Sequence, residues 1–493
     1  MNPRFAGALG VMAAALAAAG CADLGVRPPH AALRDAGSLA AQRSLAGAPV
    51  SPAAWPAEDW WHAFGDPQLD QLITEALAGS PTLKVAEART RAALALADAG
   101  KAALYPQVNA GARAAHQRFP GHGLVPPPAA GSWGTVYQLD ATLSWELDFW
   151  GKNRAAYDGA LGRARAAEVD AHAARLALTS EVALAYAQLE RAYLELDVAT
   201  TSLEDRQKIY DLTRERNAAG LDSALELRQA EAALPAMRER IEQLHEAIGL
   251  TRHQIAALLG QGPDRGLAIE RPAARGLASL ALPSKLPAEL LGRRPDLVAR
   301  RWRVEAAGRD IAAAKAQFYP NIDLVGLIGL QSLGSAGFLT AASRTVAAGP
   351  ALTLPVFDAG RLRANLAGKD ADYDVAVEQY NQALADALRD VADQLTALRS
   401  VQAQRTEQAQ AIAATREAYD LAVLRYREGI GNYLQVLSAE APLLEQRRLD
   451  ADLHARELAV SINLVRALGG GFRPQPVASA DARATTPGES RHE

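Results

Sequence analysis

The chain has 493 residues, with 52 Lys+Arg against 56 Asp+Glu, a net charge of −4 at pH 7 and a pI near 6.2. That balance argues against a nucleic-acid partner, which calls for a basic patch, and the single Cys excludes a disulfide framework and any CxxC metal or redox site. Hydrophobic residues make up 49% of the chain but aromatics only 5%, so the apolar mass is small and aliphatic, which favours closely packed helices.

The N-terminus reads as a secretory signal peptide over residues 1–20: Arg4, an uncharged apolar run from Phe5 to Ala19, then Gly20. The run is short for a membrane span. Cys21 follows directly, and small residues ahead of it resemble a bacterial lipobox, although Ala18 stands where Leu is commonest. Cys21 is therefore the expected lipidation site, and Ala22 after it favours the outer membrane by analogy with bacterial lipoproteins. Residues 21–59, Pro- and Ala-rich, read as a lipidated extended segment.

The rest is one unit written twice. Ser80-Pro81-Thr82-Leu83 and Tyr105-Pro106 recur 214 residues later as Arg294-Pro295-Asp296-Leu297 and Tyr319-Pro320. Gly151, Gly220, Ala230-Glu231 and Leu259-Gly260 recur 209 residues later as Gly360, Gly429, Ala439-Glu440 and Leu468-Gly469. The reading assigns residues 60–262 to a first repeat, 263–291 to a Pro-rich connector, 292–472 to a second repeat and 473–493 to a disordered tail.

Each repeat has the same order. A short helix stops at Pro106 or Pro320. A β-hairpin follows, expected over 107–148 and 321–357. Tyr137, Leu139, Ala141, Leu143, Trp145 and Leu147 alternate with polar residues, a period of two that suits a bilayer barrel with a wet lumen and equally suits an ordinary half-buried hairpin. Val346, Ala348, Leu352, Leu354 and Val356 hold one face more weakly. Helical hairpins are then expected over 152–260 and 361–468, each opening with a rod of roughly 68 residues, about 100 Å at the α-helical rise. Val182, Leu189, Leu196, Leu203 and Tyr210 recur every seven residues, and Leu234, Met237, Ile241, Leu244 and Ile248 alternate three and four, as coiled-coil seams do.

No HExxH, GxSxG, GxGxxG or P-loop spacing occurs, and the nine His do not pair as metal ligands do. No catalytic, cofactor or metal role is expected.

Trp60-Trp61-His62-Ala63-Phe64-Gly65-Asp66-Pro67, Arg294-Pro295-Asp296-Leu297, Ala314-Lys315-Ala316-Gln317-Phe318-Tyr319-Pro320 and Leu354-Pro355-Val356-Phe357-Asp358-Ala359-Gly360 resemble the motifs of the TolC-like outer-membrane efflux factors. The resemblance runs over roughly 55–472 and points to the NodT-type lipoprotein branch serving resistance-nodulation-division pumps. It implies a membrane α+β fold whose homotrimer forms a 12-stranded β-barrel continuous with an α-helical periplasmic tube. Bottom-up physics agrees: four strands cannot close a barrel in lipid, whereas three chains supply an even number inside the known range. The implied function is a passive exit duct for drugs, toxic compounds or metal ions, partnered by a periplasmic adaptor, an inner-membrane pump and outer-membrane lipid. An exit duct for type I protein secretion, or a coiled-coil envelope lipoprotein with no pore, are the alternatives.

The resemblance also places function at the helical tips. Gly220-Leu221 and Gly429-Ile430 match the tip motif that meets adaptors, and could equally be helix-reversal residues. Family members constrict the periplasmic mouth with acid rings and a Tyr/Arg network. The matching positions here are Glu226 and Tyr426, with neutral Gln435 and Ser438 at usual acidic places, Gly431 at a frequent Arg place, and Arg427 as a substitute cation. Those neutral residues predict a gate held more by hydrogen bonds than by ion pairs. Pro235 and Pro442, 15 and 13 residues past their tip glycines, are expected helix kinks.

Overall fold

The computed structural model describes residues 29–45, 50–51, 55–123, 125–273, 282–283 and 290–473. The expected signal peptide, Cys21 and the expected disordered tail from 474 onward lie outside the described residues.

The duplication is visible in element lengths. Helix α1 spans Pro67–Gly79 and α2 Pro81–Ala102. Strands β1 (Gln107–Arg118) and β2 (Trp133–Glu146) follow, then the rod α3 (Lys152–Ala218) and its return α4 (Ala224–Leu258). The second copy repeats this with α5 (Pro295–Ala316), β3 (Asn321–Leu333), β4 (Arg344–Thr353), α6 (Arg361–Arg427) and α7 (Tyr433–Ala467). Rods α3 and α6 both have 67 residues, and returns α4 and α7 both have 35. No described helix is long and apolar enough to cross a membrane. Leu354 and Val356, read as strand positions, fall beyond β4, where Pro355 cannot donate to a ladder.

The chain divides into two units. The first comprises Ala88–Glu168, Ala299–Asn381 and the stretch up to Leu33. It contains one antiparallel four-stranded sheet in the order β1-β2-β3-β4, so β1 and β4 are edges with unpaired backbone groups. Register separates two faces. Val108, Ala110, Ala112 and Ala114 lie opposite Leu143, Ala141, Leu139 and Tyr137, which share a face with Leu324, Ile328, Leu330, Val346, Ala348 and Leu352. The other face carries Asn109, Arg113, Gln117, Gln138, Asp140, Thr142, Ser144, Asp323, Gln331, Thr345 and Thr353, broken by Val136, Val325, Leu327 and Leu333. The apolar face is uncovered: Val108, Ile328 and Val346 are 67%, 64% and 72% exposed.

The second unit, Arg34–Glu87, Val169–Val298 and Gln382–Glu493, holds the main core. Trp60, Trp61 and Phe64 pack with Leu69, Leu72 and Ile73 of α1 against Val182, Tyr186 and Leu189 of α3, Ile255 of α4 and Ile462 of α7. The heptad seams meet as their spacing predicts: Leu196, Ala199 and Leu203 of α3 pack with Met237, Ile241 and Leu244 of α4. The two copies are joined by polar pairs between antiparallel α3 and α7, namely Arg191–Asp452 at 2.9 Å, Arg206–Glu440 at 2.6 Å and Glu190–His454 at 3.2 Å. The Arg-Pro-Asp motif also receives a packing role. Arg294 reaches Asp296 at 2.7 Å and Asp390 of α6 at 3.3 Å.

Asp66 anchors the start of this unit. One carboxylate oxygen accepts from the Gln68 N–H and caps α1, while the other accepts from the Tyr186 hydroxyl at 2.7 Å and the Ala273 N–H at 2.9 Å. Asp66→Ala strands two donors and removes a cap. We expect it to lower stability by about 3 kcal/mol, read as a drop in the apparent Tm, with Asp66→Asn milder. An unchanged Tm in Asp66→Ala would remove Asp66 as an anchor.

Candidate functional site at the hairpin tips

Both hairpins reverse by the same chemistry. Gly220 has φ +73° and Gly429 φ +78°, left-handed values that a Cβ disfavours. The Leu221 N–H donates to the Arg216 carbonyl and the Gly220 N–H to that of Asn217; Ile430 and Gly429 do the same toward Arg425 and Tyr426. These are paired Schellman closures. The return helices then start with capping boxes, Ser223 with Glu226 in the first copy and Asn432 with Gln435 in the second. Each turn thus satisfies its own backbone, leaving the apolar side chains free for another task. Leu221 and Ile430 are 66% and 68% exposed, and Leu225 and Leu434, one turn on, are both 63% exposed. Sequence reasoning singled out the first two and missed the second two, which the 209-residue offset also relates.

Beside the tips the two copies are latched together. Tyr426 is fully buried on α6. Its hydroxyl lies 2.5 Å from Asp222 Oδ2 and 2.9 Å from Thr213 Oγ1. The Arg216 guanidinium donates to Asp222 through Nε at 2.9 Å and to the Tyr426 carbonyl at 3.0 Å, and it stacks 4.6 Å from the Tyr426 ring centroid. Burial first, then the Asp222 carboxylate, pushes the Tyr426 phenol up to about 12. It remains a donor at any physiological pH. The Asp222 carboxylate also holds the Arg216 pKa above its ordinary value, so the cation persists.

The predicted site residues distribute unevenly around this latch. Tyr426 is at its centre. Glu226 is not its partner: the Glu226 carboxylate accepts from the Ser223 N–H at 3.0 Å and from its hydroxyl, and those bonds hold its pKa below the usual range. Gln435 serves the equivalent cap, and Ser438 donates back to the Leu434 carbonyl at 2.7 Å. The cation is Arg216 rather than Arg427, which is exposed. Arg216 and Asp222 therefore bring an ion pair into a network expected to rely on hydrogen bonds. Space at position 431 is tight: a Cβ there would lie 3.1 Å from the Tyr426 nitrogen and from Arg425 Cβ, and 2.9 Å from Gln435 Oε1, the mobile end of its side chain. Pro235 and Pro442 both lie inside helices, α4 and α7. Among the described residues no group of His, Cys, Asp and Glu could hold a metal ion.

A sheet with one apolar and one polar face, doubled helical rods and satisfied tips with apolar crowns define the class of outer-membrane channel components. The sequence matches the model of the family described as "Outer membrane efflux protein" over residues 72–261 and 286–470. The fusaric acid resistance protein FusA of Burkholderia cepacia is 43% identical over 369 residues, which is 74% of this chain and 69% of that protein. The multidrug resistance outer membrane protein MdtP of Escherichia coli K12 is 34% identical over 441 residues, 87% of this chain and 89% of MdtP. The crystal structure of the outer membrane protein VceC from Vibrio cholerae aligns with a TM-score of 0.79 at 36% identity, over 85% of this chain and all of that one.

The chain belongs to the outer membrane efflux protein family. It is an outer-membrane channel of a Gram-negative bacterium, an exit duct of a tripartite efflux pump, with a large helical periplasmic part.

Proposed function

We propose that three copies close a 12-stranded barrel continuous with an α-helical periplasmic tube, and that this duct passively passes small toxic molecules delivered by an inner-membrane pump through a periplasmic adaptor. The observation that carries the proposal is the four-stranded sheet with two open edges, one apolar face and one polar face. In lipid, open edges are costly, and three-fold closure pairs every one of them while turning the polar face to a wet lumen. The latch of Tyr426, Asp222 and Arg216 joins α6 to the first hairpin, and the proposal assigns it the closed state of the periplasmic mouth. Glu226 and Gln435 act through the caps that hold the tips in shape, and Ser438 bonds back within the first turns of α7. The exposed leucines and isoleucine at the tips receive the adaptor. The prolines of α4 and α7 bend the returns near the mouth.

The cargo proposed is small organic toxicants, in line with relatives named for fusaric acid and multidrug resistance. Reconstitution of the purified protein in planar bilayers is the decisive experiment. We expect discrete, trimer-sized conductance steps; a protein that inserts and never conducts would return the reading to a coiled-coil lipoprotein without a pore.

Cys21 is proposed to carry the acyl anchor at the start of the mature chain. A Cys21→Ser chain behind a replacement signal peptide should lose palmitate labelling yet keep its membrane trimers and most of its transport, because the barrel already holds it in the bilayer. Persistent labelling would discard the assignment.

A further inference from the structure

The apolar face of the sheet carries formal charge at two points only. Register puts Arg118 on that face, opposite Trp133, and Arg344 on it, opposite Leu330. The other charged residues of the four strands, Arg113, Asp140, Glu146 and Asp323, all belong to the polar face. Arg118 is the last residue of β1 and Arg344 the first of β4, so both stand at the loop end of the sheet and both stand on its edge strands. The opposite end of the same face, with Val108, Trp145, Leu324 and Leu352, is uncharged.

Among the described residues nothing neutralises these two cations. Both side chains are exposed, and neither guanidinium has an ion pair among the described residues. No Asp or Glu occurs between Asp98 and Asp140, nor between Asp323 and Asp358, so both hairpin loops and the strand ends beside them are free of acid. Aromatic groups border the site: Trp133 is 66% exposed, and its ring stacks on His116 at 5.4 Å and 14°. An indole ring at the end of an apolar band marks the boundary between acyl chains and headgroups.

We propose that Arg118 and Arg344 together grip a phosphate of the phosphorylated glycolipid of the outer leaflet, at each seam between protomers. The inference rests on the barrel reading above. When the barrel closes, β4 of one protomer runs antiparallel beside β1 of the next, which brings the two edge-strand arginines to one rim on the lipid side. Two like charges at a lipid-facing seam repel and are costly to desolvate without a counter-charge. A phosphate supplies that charge, and the planar guanidinium binds it in bidentate fashion. A bound phosphoglycolipid would therefore staple neighbouring subunits from outside.

The test uses native mass spectrometry of the purified trimer in detergent, titrated with bisphosphorylated lipid A and, separately, with its dephosphorylated form. We expect up to three lipid A molecules per wild-type trimer. Arg118→Gln with Arg344→Gln should weaken that binding at least tenfold, the Lys pair should retain part of it, and the dephosphorylated lipid should bind wild type and variants alike. Equal affinity of wild type and the Gln pair, or binding that ignores the phosphates, would overturn the site while trimer mass and conductance stand. Wild-type protein with neither trimer mass nor conductance would instead overturn the barrel, and the seam with it.

Discussion

Tyr426→Phe combined with Asp222→Asn is expected to shift the channel toward its open state and raise single-channel conductance several-fold. The two residues lie 204 positions apart and belong to different copies of the repeat, yet the hydroxyl and carboxylate meet at 2.5 Å in a partly buried setting. A hydrogen bond to a charged group contributes about 2 kcal/mol, and more is lost when its partner stays buried and unpaired. About 2 kcal/mol alone changes a closed-to-open ratio roughly thirtyfold. Because Tyr426 stays protonated to about 12, the effect should not vary with pH through that phenol between neutral and mildly alkaline conditions. The single variants should be non-additive, since each removes the same bond. Glu226→Gln is the contrasting variant: its carboxylate serves the Ser223 cap and does not touch α6, so conductance should barely move. Wild-type conductance in the double variant would take the latch out of gating.

Leu221→Asp with Ile430→Asp is expected to reduce drug resistance in cells to the level of a strain lacking the duct, while trimers remain in the outer membrane. The substitutions leave Gly220 and Gly429 in place, so the Schellman turns and capping boxes survive. What changes is an apolar crown at each tip, Leu221 with Leu225 and Ile430 with Leu434. Covering such a side chain contributes roughly 1.5–3 kcal/mol, and three-fold repetition of both tips multiplies the effect through avidity. Leu225→Asp with Leu434→Asp should weaken efflux in the same direction and less completely. The measurement is minimal inhibitory concentration alongside cross-linking to the co-expressed adaptor. Normal efflux with both tips acidic would end the docking role.

Much of this architecture was legible because it is local. Heptad spacing in Val182–Tyr210 and Leu234–Ile248 announces two rods, and a left-handed glycine between them announces the turn. Repetition at 209 residues then carries each assignment to the second copy, where rod and return match residue for residue. Helix α1 was not legible as a separate element. Its cap, Asp66, reads as part of the tryptophan-rich opening motif until the carboxylate is seen turned toward Tyr186 and Ala273.

The candidate site divides along the same line. By itself the sequence determined the helical rods, the alternating strand over 137–147 and the glycine turns at the tips, because each is written in a local repeating pattern, whereas Tyr426 and the apolar tip residues were singled out through the family resemblance. Only tertiary structure decided that Asp222, not Glu226, meets Tyr426, and that Arg216 joins them. Four residues separate the two acids on one chain, and which of them faces α6 depends on how the Gly220 turn is wound and how the copies pack. Arg118 and Arg344 likewise acquire a shared face and a shared end only once strand register is set, since a shift of one residue sends a side chain to the opposite side of a sheet.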